Sequence, residues 1–268
     1  MIKNLVVGAG GIRGLGALGL LQKLYENNKM VEVENYAGSS VGSIISLLLL
    51  VGYYPIDIFK ILCDIDFNSL MEDLKFDSFD EPCIGLFSQS KLIYIIKKMI
   101  SNKNISVNIT FQELYNTFNK TLYITGTCVN TIDSVIFSHK THPEMNVITA
   151  IAISTCIPCI FKPIEYNKMM WIDGGCLLSY PIHLFDDDLE NTIGIYLNDL
   201  YEEIKTFDSI QQYLLNVFKC LLKNSHNIDK KYDKYTYYIL TSIKITWNLT
   251  CDEKKKYYNF GYDILLKD

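Results

Sequence analysis

The chain has 268 residues, of which 49% are hydrophobic and 21% charged, and its formal net charge is −5. This length and apolar content allow a large buried core, so we expect one domain spanning residues 1–268 that folds without a partner. The acidic balance argues against nucleic-acid binding, because proteins that bind nucleic acids usually carry a concentrated basic face.

The first elements alternate between strands and helices. Residues 3–7 read as a buried strand and 15–27 as a helix, then 31–37 as a second strand and 43–51 as a helix that is apolar all round. This alternation predicts an α/β fold with a parallel sheet. Further helices are predicted over 55–63, 89–100, 111–118 and 147–155, and further strands over 121–128, 134–137, 169–172 and 192–197.

The C-terminal part predicts two more helices packed on the same domain. Residues 208–223 carry apolar side chains at helical spacing, and Thr250-x-x-Glu253 is a capping box that begins a helix over 251–266. The polar segment 64–80 is predicted to be a lid or an insertion. No repeat or Gly/Pro/Ser-rich linker separates these parts, so nothing indicates a second domain.

Targeting signals are absent from the sequence as given. Leu5-Val6-Val7 runs directly into a glycine-rich turn, and the longest apolar run, 44–51, is far shorter than the ~20 residues that span a bilayer. Eight cysteines without a signal peptide indicate reduced thiols, and the isolated Cys156-x-x-Cys159 does not predict a metal site. We expect an intracellular, cytoplasmic protein whose contact with membranes is peripheral.

A G-x-S-x-G motif, Gly38-Ser39-Ser40-Val41-Gly42, lies between the second predicted strand and its helix. A sharp turn at this place exposes the serine Oγ at the positive end of the following helix, which suits a nucleophile. The alternative is a tight turn built of small residues with no chemical role. Asp173-Gly174-Gly175 also follows a strand, so the carboxylate of Asp173 can project from the same edge of the sheet.

The turn Gly8-Ala9-Gly10-Gly11-Ile12-Arg13-Gly14 after the first strand has two interpretations. It precedes the G-x-S-x-G motif, so its amides are available as an oxyanion hole. It also resembles the start of a dinucleotide-binding domain, with Glu32 or Glu34 as the ribose ligand. Against dinucleotide binding, Arg13 occupies the position where the third glycine of G-x-G-x-x-G is required.

Together these three segments, residues 8–14, 38–42 and 173–175, resemble those of the patatin-like lipid acyl hydrolases. The chain departs from the family pattern at Ala9, where the family has a glycine. If position 9 needed a positive φ, alanine would impair the loop. The resemblance extends over nearly the whole chain, through Gly85-Leu86-Phe87, residues 110–114, the run from Ala150 through Pro163, Pro181, and Lys255 and Gly261.

The resemblance implies a three-layer sandwich with a mostly parallel central sheet, and a phospholipase A-type esterase that needs no metal or cofactor. Its substrates would be phospholipids or glycerolipids, cleaved through an acyl-enzyme. The implied site comprises the nucleophile Ser40 and base Asp173, the oxyanion donors Gly10 and Gly11, Arg13 and Gly14 for loop or substrate orientation, the elbow glycines Gly38 and Gly42, and Gly174 and Gly175 beside the aspartate.

Other interpretations remain open. His183 and His226 follow Asp173, the order that a Ser-Asp-His triad requires, but neither lies in a motif. Arg13 has an alternative structural role in a salt bridge, and Asp186–Asp188 reads as a solvated loop more readily than as a calcium site. A lipid-binding protein without turnover and an acyltransferase with the same acyl-enzyme are the remaining alternatives to hydrolysis.

Overall fold

A computed structural model describes residues 1–70, 72–73, 85–199, 228–241 and 249–267, together with positions 206, 213, 216 and 217. Short 3-10 helices occur at Gly11–Arg13, Phe67–Leu70, Gly174–Cys176 and Lys230–Tyr235, and Ile182–Asn191 forms 3-10 turns interrupted by non-helical backbone at Phe185 and Asp188. The strands are β1 (Asn4–Val7), β2 (Asn35–Gly38), β3 (Glu72–Asp73), β4 (Gly85–Ser88), β5 (Thr121–Cys128), β6 (Asp133–Phe137), β7 (Cys159–Phe161), β8 (Ile164–Tyr166), β9 (Met169–Asp173), β10 (Thr192–Asp199) and β11 (Thr236–Thr241). The α-helices are α1 (Gly14–Glu26), α2 (Val41–Leu50), α3 (Pro55–Asp64), α4 (Ser90–Asn102), α5 (Phe111–Phe118), α6 (Val147–Ser154) and α7 (Cys251–Tyr262).

The main sheet has the strand order β11-β10-β1-β2-β5-β9-β8, and β6 also pairs with β5. The pairings from β11 through β5 are parallel, whereas β6, β9 and β8 are antiparallel to their neighbours. The sheet is therefore mixed but mostly parallel, as the alternation of strands and helices predicts. A smaller sheet has the order β3-β4-β7.

Alternate residues of the central strands belong to two separate cores. Leu5 and Val7 of β1 are fully buried in the larger core with residues of α1 through α6. Val6, between them, is buried in a second core rich in tyrosine, together with Tyr180 and Tyr196. Since successive strand side chains point to opposite faces, the sheet is covered on both sides and the fold has three layers.

Most predicted elements are present, and the differences have local causes. The second strand begins at Asn35 because 30–32 form a turn and Val31 is exposed. The last helix ends at Tyr262 instead of 266, and the chain then reaches back so that the amide of Lys267 donates to Tyr237 Oη at 2.9 Å. The predicted lid 64–80 is described at 64–70 and 72–73, where Phe67–Leu70 is a 3-10 helix and Glu72–Asp73 is β3, and its other residues lie outside the described part of the chain. Of the predicted helix 208–223 only positions 213, 216 and 217 are described, and they are helical.

A buried lysine joins α7 to the end of α3. Lys254 is only 2% exposed, and its Nζ donates to the carbonyl oxygens of Leu62 at 2.9 Å, Cys63 at 3.2 Å and Ile65. The same Nζ lies 4.3 Å from the centre of the Phe67 ring. The last carbonyls of a helix have no partners within the helix, and a cation is favoured there, so Lys254 caps α3 from another element.

We expect Lys254→Met to lower the free energy of unfolding by about 2–3 kcal/mol, because the buried carbonyls lose a charged donor. Lys255→Met is the matched control, since the Lys255 side chain is 56% exposed and its ion pair among the described residues is with an exposed Asp252. We expect that control to change stability by less than about 0.5 kcal/mol. Urea denaturation measures both, and equal effects of the two substitutions would contradict the capping role.

Candidate active site

Ser40 lies on a sharp turn between β2 and α2. Its backbone has φ 52° and ψ −123°, a conformation that is costly for a residue with a side chain. The turn is closed by the amide of Gly42 donating to the Ser39 carbonyl at 2.8 Å. A Cβ at Gly42 would lie 2.0 Å from the Val7 carbonyl oxygen, so the close approach to β1 requires a glycine. The predicted strand-turn-helix elbow, Gly38 to Gly42, is therefore present.

The side chains of Ser40 and Asp173 meet although 133 residues separate them. Ser40 Oγ donates to Asp173 Oδ2 at 2.6 Å, and the amide of Gly175 donates to Asp173 Oδ1 at 2.7 Å. On the backbone, Thr127 Oγ1 donates to the Asp173 carbonyl at 3.0 Å. Both carboxylate oxygens thus have a donor, and one of these donors is the hydroxyl of the elbow serine.

Burial controls the protonation of this carboxylate. Asp173 is 4% exposed, and burial raises its pKa to about 7, against smaller lowering effects of the hydrogen bonds from Ser40 and Gly175. Burial and the nearby Asp173 also raise the pKa of the Cys156 thiol to about 12 and that of Cys176 still further. The thiols beside the site are therefore neutral near pH 7, and Asp173 can exchange a proton in that range.

The glycine turn after β1 places two unused amides near the serine. The amide of Ala9 donates to the Ser179 carbonyl at 2.8 Å, whereas those of Gly10 and Gly11 donate to no acceptor among the described residues. Gly11 has φ 55°, and a Cβ at Gly10 would lie 2.4 Å from that of Leu197. Ala9 does not have a positive φ, so the loop impairment considered for this position does not arise.

Arg13 and Gly14 hold the glycine turn against the elbow. Arg13 is 8% exposed, and its Nη1 donates to the Gly10 carbonyl at 3.0 Å, which orients the peptide group between Gly10 and Gly11. A Cβ at Gly14 would lie 2.6 Å from Val41 Cγ2, so this glycine lets α1 approach the start of α2. The three predicted segments, 8–14, 38–42 and 173–175, thus meet at one edge of the sheet.

Ala9 and Gly175 form a size-complementary pair beside the carboxylate. A Cβ at position 175 would lie 2.8 Å from Ala9 Cβ and 3.0 Å from Asp173 Oδ1. At the preceding residue, a Cβ on Gly174 would lie 2.1 Å from Thr125 Oγ1. The alanine by which this chain departs from the family pattern is accommodated because position 175 has no side chain.

We expect Gly175→Ala to cost about 1–3 kcal/mol of stability by overpacking. In an Ala9→Gly background the same substitution should cost about 1 kcal/mol less, because the clash between the two Cβ atoms is removed. Ala9→Gly alone serves as the control. A double-mutant cycle measured by urea denaturation gives the coupling, and strictly additive effects would show that the two positions are independent.

An apolar cavity of about 150 Å³ opens beside Ser40. It lies between α2, α3 and α4, whose contributions include Ile44, Leu62 and Ile95. Such a site suits a hydrocarbon chain and offers few polar groups. The lining is mostly aliphatic, and Phe67 and Phe161 are its aromatic members. The sequence predicted α2 as a helix that is apolar all round but did not predict this cavity, whose walls also come from α3 and α4.

Histidines do not join the Ser40–Asp173 pair within the described chain. His183 is exposed, and His226 lies outside the described residues. His139 stacks on Tyr115 and His142 contacts the edge of Phe137, and burial lowers the pKa of both. His139 and His142 therefore have packing roles in the fold.

Two other groups of acidic residues had predicted roles: Glu32 or Glu34 as a ribose ligand, and Asp186–Asp188 as a solvated loop or a calcium site. Glu34 precedes β2, so it lies at the opposite edge of the sheet from Gly8–Gly11, where it cannot meet a ribose held by that turn. Asp186 pairs with Lys231 at 2.9 Å, and Asp188 accepts from Asn4 at 2.9 Å. Among the residues that the structure describes, no group of three or more His, Cys, Asp or Glu side chains is arranged to hold a metal ion.

The family model described as Patatin-like phospholipase matches residues 5–186, which include the elbow, the glycine turn and Asp173. The chain belongs to this family. It is 35% identical over 196 residues to "Uncharacterized protein R571" of Acanthamoeba polyphaga mimivirus, covering 72% of this chain and 65% of that protein. It is 34% identical over 186 residues to "Probable lipid hydrolase 463L" of Invertebrate iridescent virus 6, covering 68% of this chain and 62% of that protein. Both matches span less than two thirds of the relative's length.

Solved structures share the fold at low sequence identity. VipD from Legionella pneumophila has a TM-score of 0.65 and 17% identity, over 98% of this chain and 65% of that one. The type III effector ExoU, from Pseudomonas aeruginosa, has a TM-score of 0.53 and 16% identity, over 97% of this chain and 51% of that one. The three-layer patatin-like architecture implied by the sequence is therefore confirmed. The described part of the chain contains no helix with the length and apolar character needed to cross a bilayer.

Proposed function

We propose that the protein is a serine lipid acyl hydrolase that needs no metal, with Ser40 as nucleophile and Asp173 as general base. The observation that carries the proposal is the 2.6 Å hydrogen bond from Ser40 Oγ to a buried carboxylate, next to an apolar cavity. Membership of a phospholipase family and likeness to a viral protein named as a probable lipid hydrolase support a lipid ester as substrate.

The reaction starts when Ser40 Oγ attacks the ester carbonyl carbon and its proton passes to Asp173 Oδ2. The amides of Gly10 and Gly11 stabilise the negative charge that develops on the carbonyl oxygen. The tetrahedral intermediate collapses, the alcohol leaves with the proton held by Asp173, and the acyl group stays on Ser40. Asp173 then takes a proton from water, and the resulting hydroxide attacks the acyl-enzyme. Ser40 Oγ leaves with the proton held by Asp173, and the fatty acid is released.

The raised pKa of Asp173 helps this mechanism. A carboxylate with an ordinary pKa near 4 is a poor base for a serine hydroxyl, whereas one near 7 is better matched to the task and still ionised above pH 7. The apolar cavity would hold the acyl chain of a phospholipid or glycerolipid while its ester lies at Ser40. Apart from the water that hydrolyses the acyl-enzyme, the proposed steps use only groups of the polypeptide.

Fatty-acid release from phosphatidylcholine vesicles in the presence of EDTA tests the proposal. Wild type should release fatty acid and lysophospholipid, whereas Ser40→Ala and Asp173→Asn should not. Vesicle binding without release by wild type would favour a lipid-binding protein without turnover. Acyl esters of an added alcohol in place of free fatty acid, identified by mass spectrometry, would favour acyl transfer.

A further inference from the structure

Two neighbouring β-hairpins carry exposed apolar residues at their tips. The β5–β6 turn spans 129–132, and the β8–β9 turn lies at 167–168. The amide of Val129 donates to the Met170 carbonyl at 2.9 Å, so the two tips lie side by side. Val129, Ile132 and Met169 are 47%, 77% and 37% exposed. We refer to these three residues as the apolar tips.

The apolar tips project from the edge of the sheet that carries Ser40. β2 and β5 are parallel, with Gly38 opposite Ile124, so the continuation of β5 runs past the end of β2 where Ser40 lies. Asp173 is opposite Gly126, three residues before Val129. At about 3.3 Å per residue, the tips extend roughly 10 Å beyond the Ser40–Asp173 pair. A surface that meets the tips is therefore close to the proposed catalytic serine.

Ile132 has a backbone conformation that its side chain disfavours. Its φ is 58°, in the left-handed region, where a β-branched residue is an outlier. Four of the eight non-glycine residues with positive φ in the described chain are asparagines, the type that tolerates this region best. Because the Ile132 side chain is 77% exposed, packing inside the protein offsets little of the conformational energy of this strained backbone. Strained backbone of this kind clusters at functional positions such as ligand clamps.

We propose that the apolar tips insert into the surface of a phospholipid bilayer and bring the Ser40 edge to its substrate. This inference rests on the proposed lipid hydrolysis. Two narrow turns offer far less than the about 800 Å² per partner of a stable protein interface, whereas single apolar side chains can enter the interfacial layer of a bilayer. The exposed charges beside the tips, Lys168 and Asp133, are opposite in sign, so binding is driven by apolar burial and depends little on salt.

Co-sedimentation with phosphatidylcholine vesicles tests the inference in a Ser40→Ala background, which prevents turnover. Ile132→Asn should lower the partition coefficient about tenfold, because an apolar side chain no longer leaves water. The same substitution should leave the melting temperature unchanged or raise it, since asparagine tolerates a positive φ. Val31→Asn is the matched control: Val31 is 70% exposed but precedes β2, at the opposite edge of the sheet, so vesicle binding should be unchanged.

Equal vesicle binding by Ile132→Asn and the parent would overturn the inference, and so would an equal loss of vesicle binding in Ile132→Asn and Val31→Asn. Concentration-dependent self-association that Ile132→Asn abolishes would also overturn it, because the tips would then bind a second copy of the chain. With Ser40 present, hydrolysis of soluble p-nitrophenyl butyrate by Ile132→Asn should match wild type. If wild type hydrolyses no ester and binding still depends on Ile132, the proposed function fails while the membrane surface stands.

Discussion

Replacing Ser40 by alanine is expected to lower kcat/KM for p-nitrophenyl butyrate by about 10⁴-fold or more. In the proposed mechanism the substitution removes the attacking oxygen, so no acyl-enzyme would form and only the amides of Gly10 and Gly11 would remain to stabilise the transition state. Initial rates with a soluble short-chain ester measure the effect without a contribution from membrane binding.

The matched control is Ser46→Ala. Ser46 is a buried serine on the same helix, α2, and its Oγ donates to the Ala37 carbonyl at 3.2 Å instead of to Asp173. We expect this variant to keep activity within about threefold of wild type, because its loss is a single hydrogen bond of the fold. A Ser40→Ala variant that retained more than a tenth of wild-type activity would contradict the assigned nucleophile.

Asp173→Asn should abolish activity and also stabilise the protein. The amide cannot accept the serine proton, so we expect kcat/KM to fall by about 10³-fold or more. The asparagine side chain is also neutral at every pH and therefore avoids the cost of burying a charge. Its oxygen can still accept from the backbone amide of Gly175 and its NH₂ group can donate to Ser40 Oγ, so the geometry of the pair is kept.

The pH dependence of stability follows from the direction of the pKa shift. The Asp173 carboxyl has a pKa of about 7 in the folded protein and 3.8 as the unperturbed reference, so it releases a proton on unfolding between these values. Wild-type stability should therefore fall as pH rises from about 4 to 7, by roughly 4 kcal/mol from this group. Below about pH 4 the carboxyl is protonated in both states and this loss disappears.

Urea denaturation of wild type and Asp173→Asn at pH 5 and pH 8 measures the difference. The stability gained by Asp173→Asn relative to wild type should be larger at pH 8 than at pH 5. Wild-type activity should fall about tenfold per pH unit well below pH 7, where the proposed base is protonated. A variant that is less stable than wild type at pH 8 would show that the carboxylate is favoured, not disfavoured, by its surroundings.

Local features of this fold could be predicted well from the sequence. The bounds of α5 and β5 match the prediction, and Thr110 and Thr250 each form a capping box in which a glutamate three residues later completes the pair. The strands β7 and β8 have only three residues each, and β11 lies beyond the last strand that was predicted. Short strands are stabilised by pairing with distant segments, so their own residues carry a weak signal.

The site shows the same division between local and distant information. The elbow at Ser40 was recognisable because its glycines and small residues mark the turn directly. The partner of the Ala9 amide, the carbonyl of Ser179, was not predictable, because it depends on how the chain returns after Asp173. The cavity wall from α3 and α4 and the capping of α3 by Lys254 likewise depend on packing between segments far apart in sequence.

Mass spectrometry after treatment with a fluorophosphonate tests the central claim most directly. A serine activated by Asp173 should give one adduct per chain, located by peptide mapping at Ser40, absent from Ser40→Ala and formed much more slowly in Asp173→Asn. An adduct at another serine, or ester hydrolysis that persists in Ser40→Ala, would show that the Ser40–Asp173 pair is not the catalytic centre.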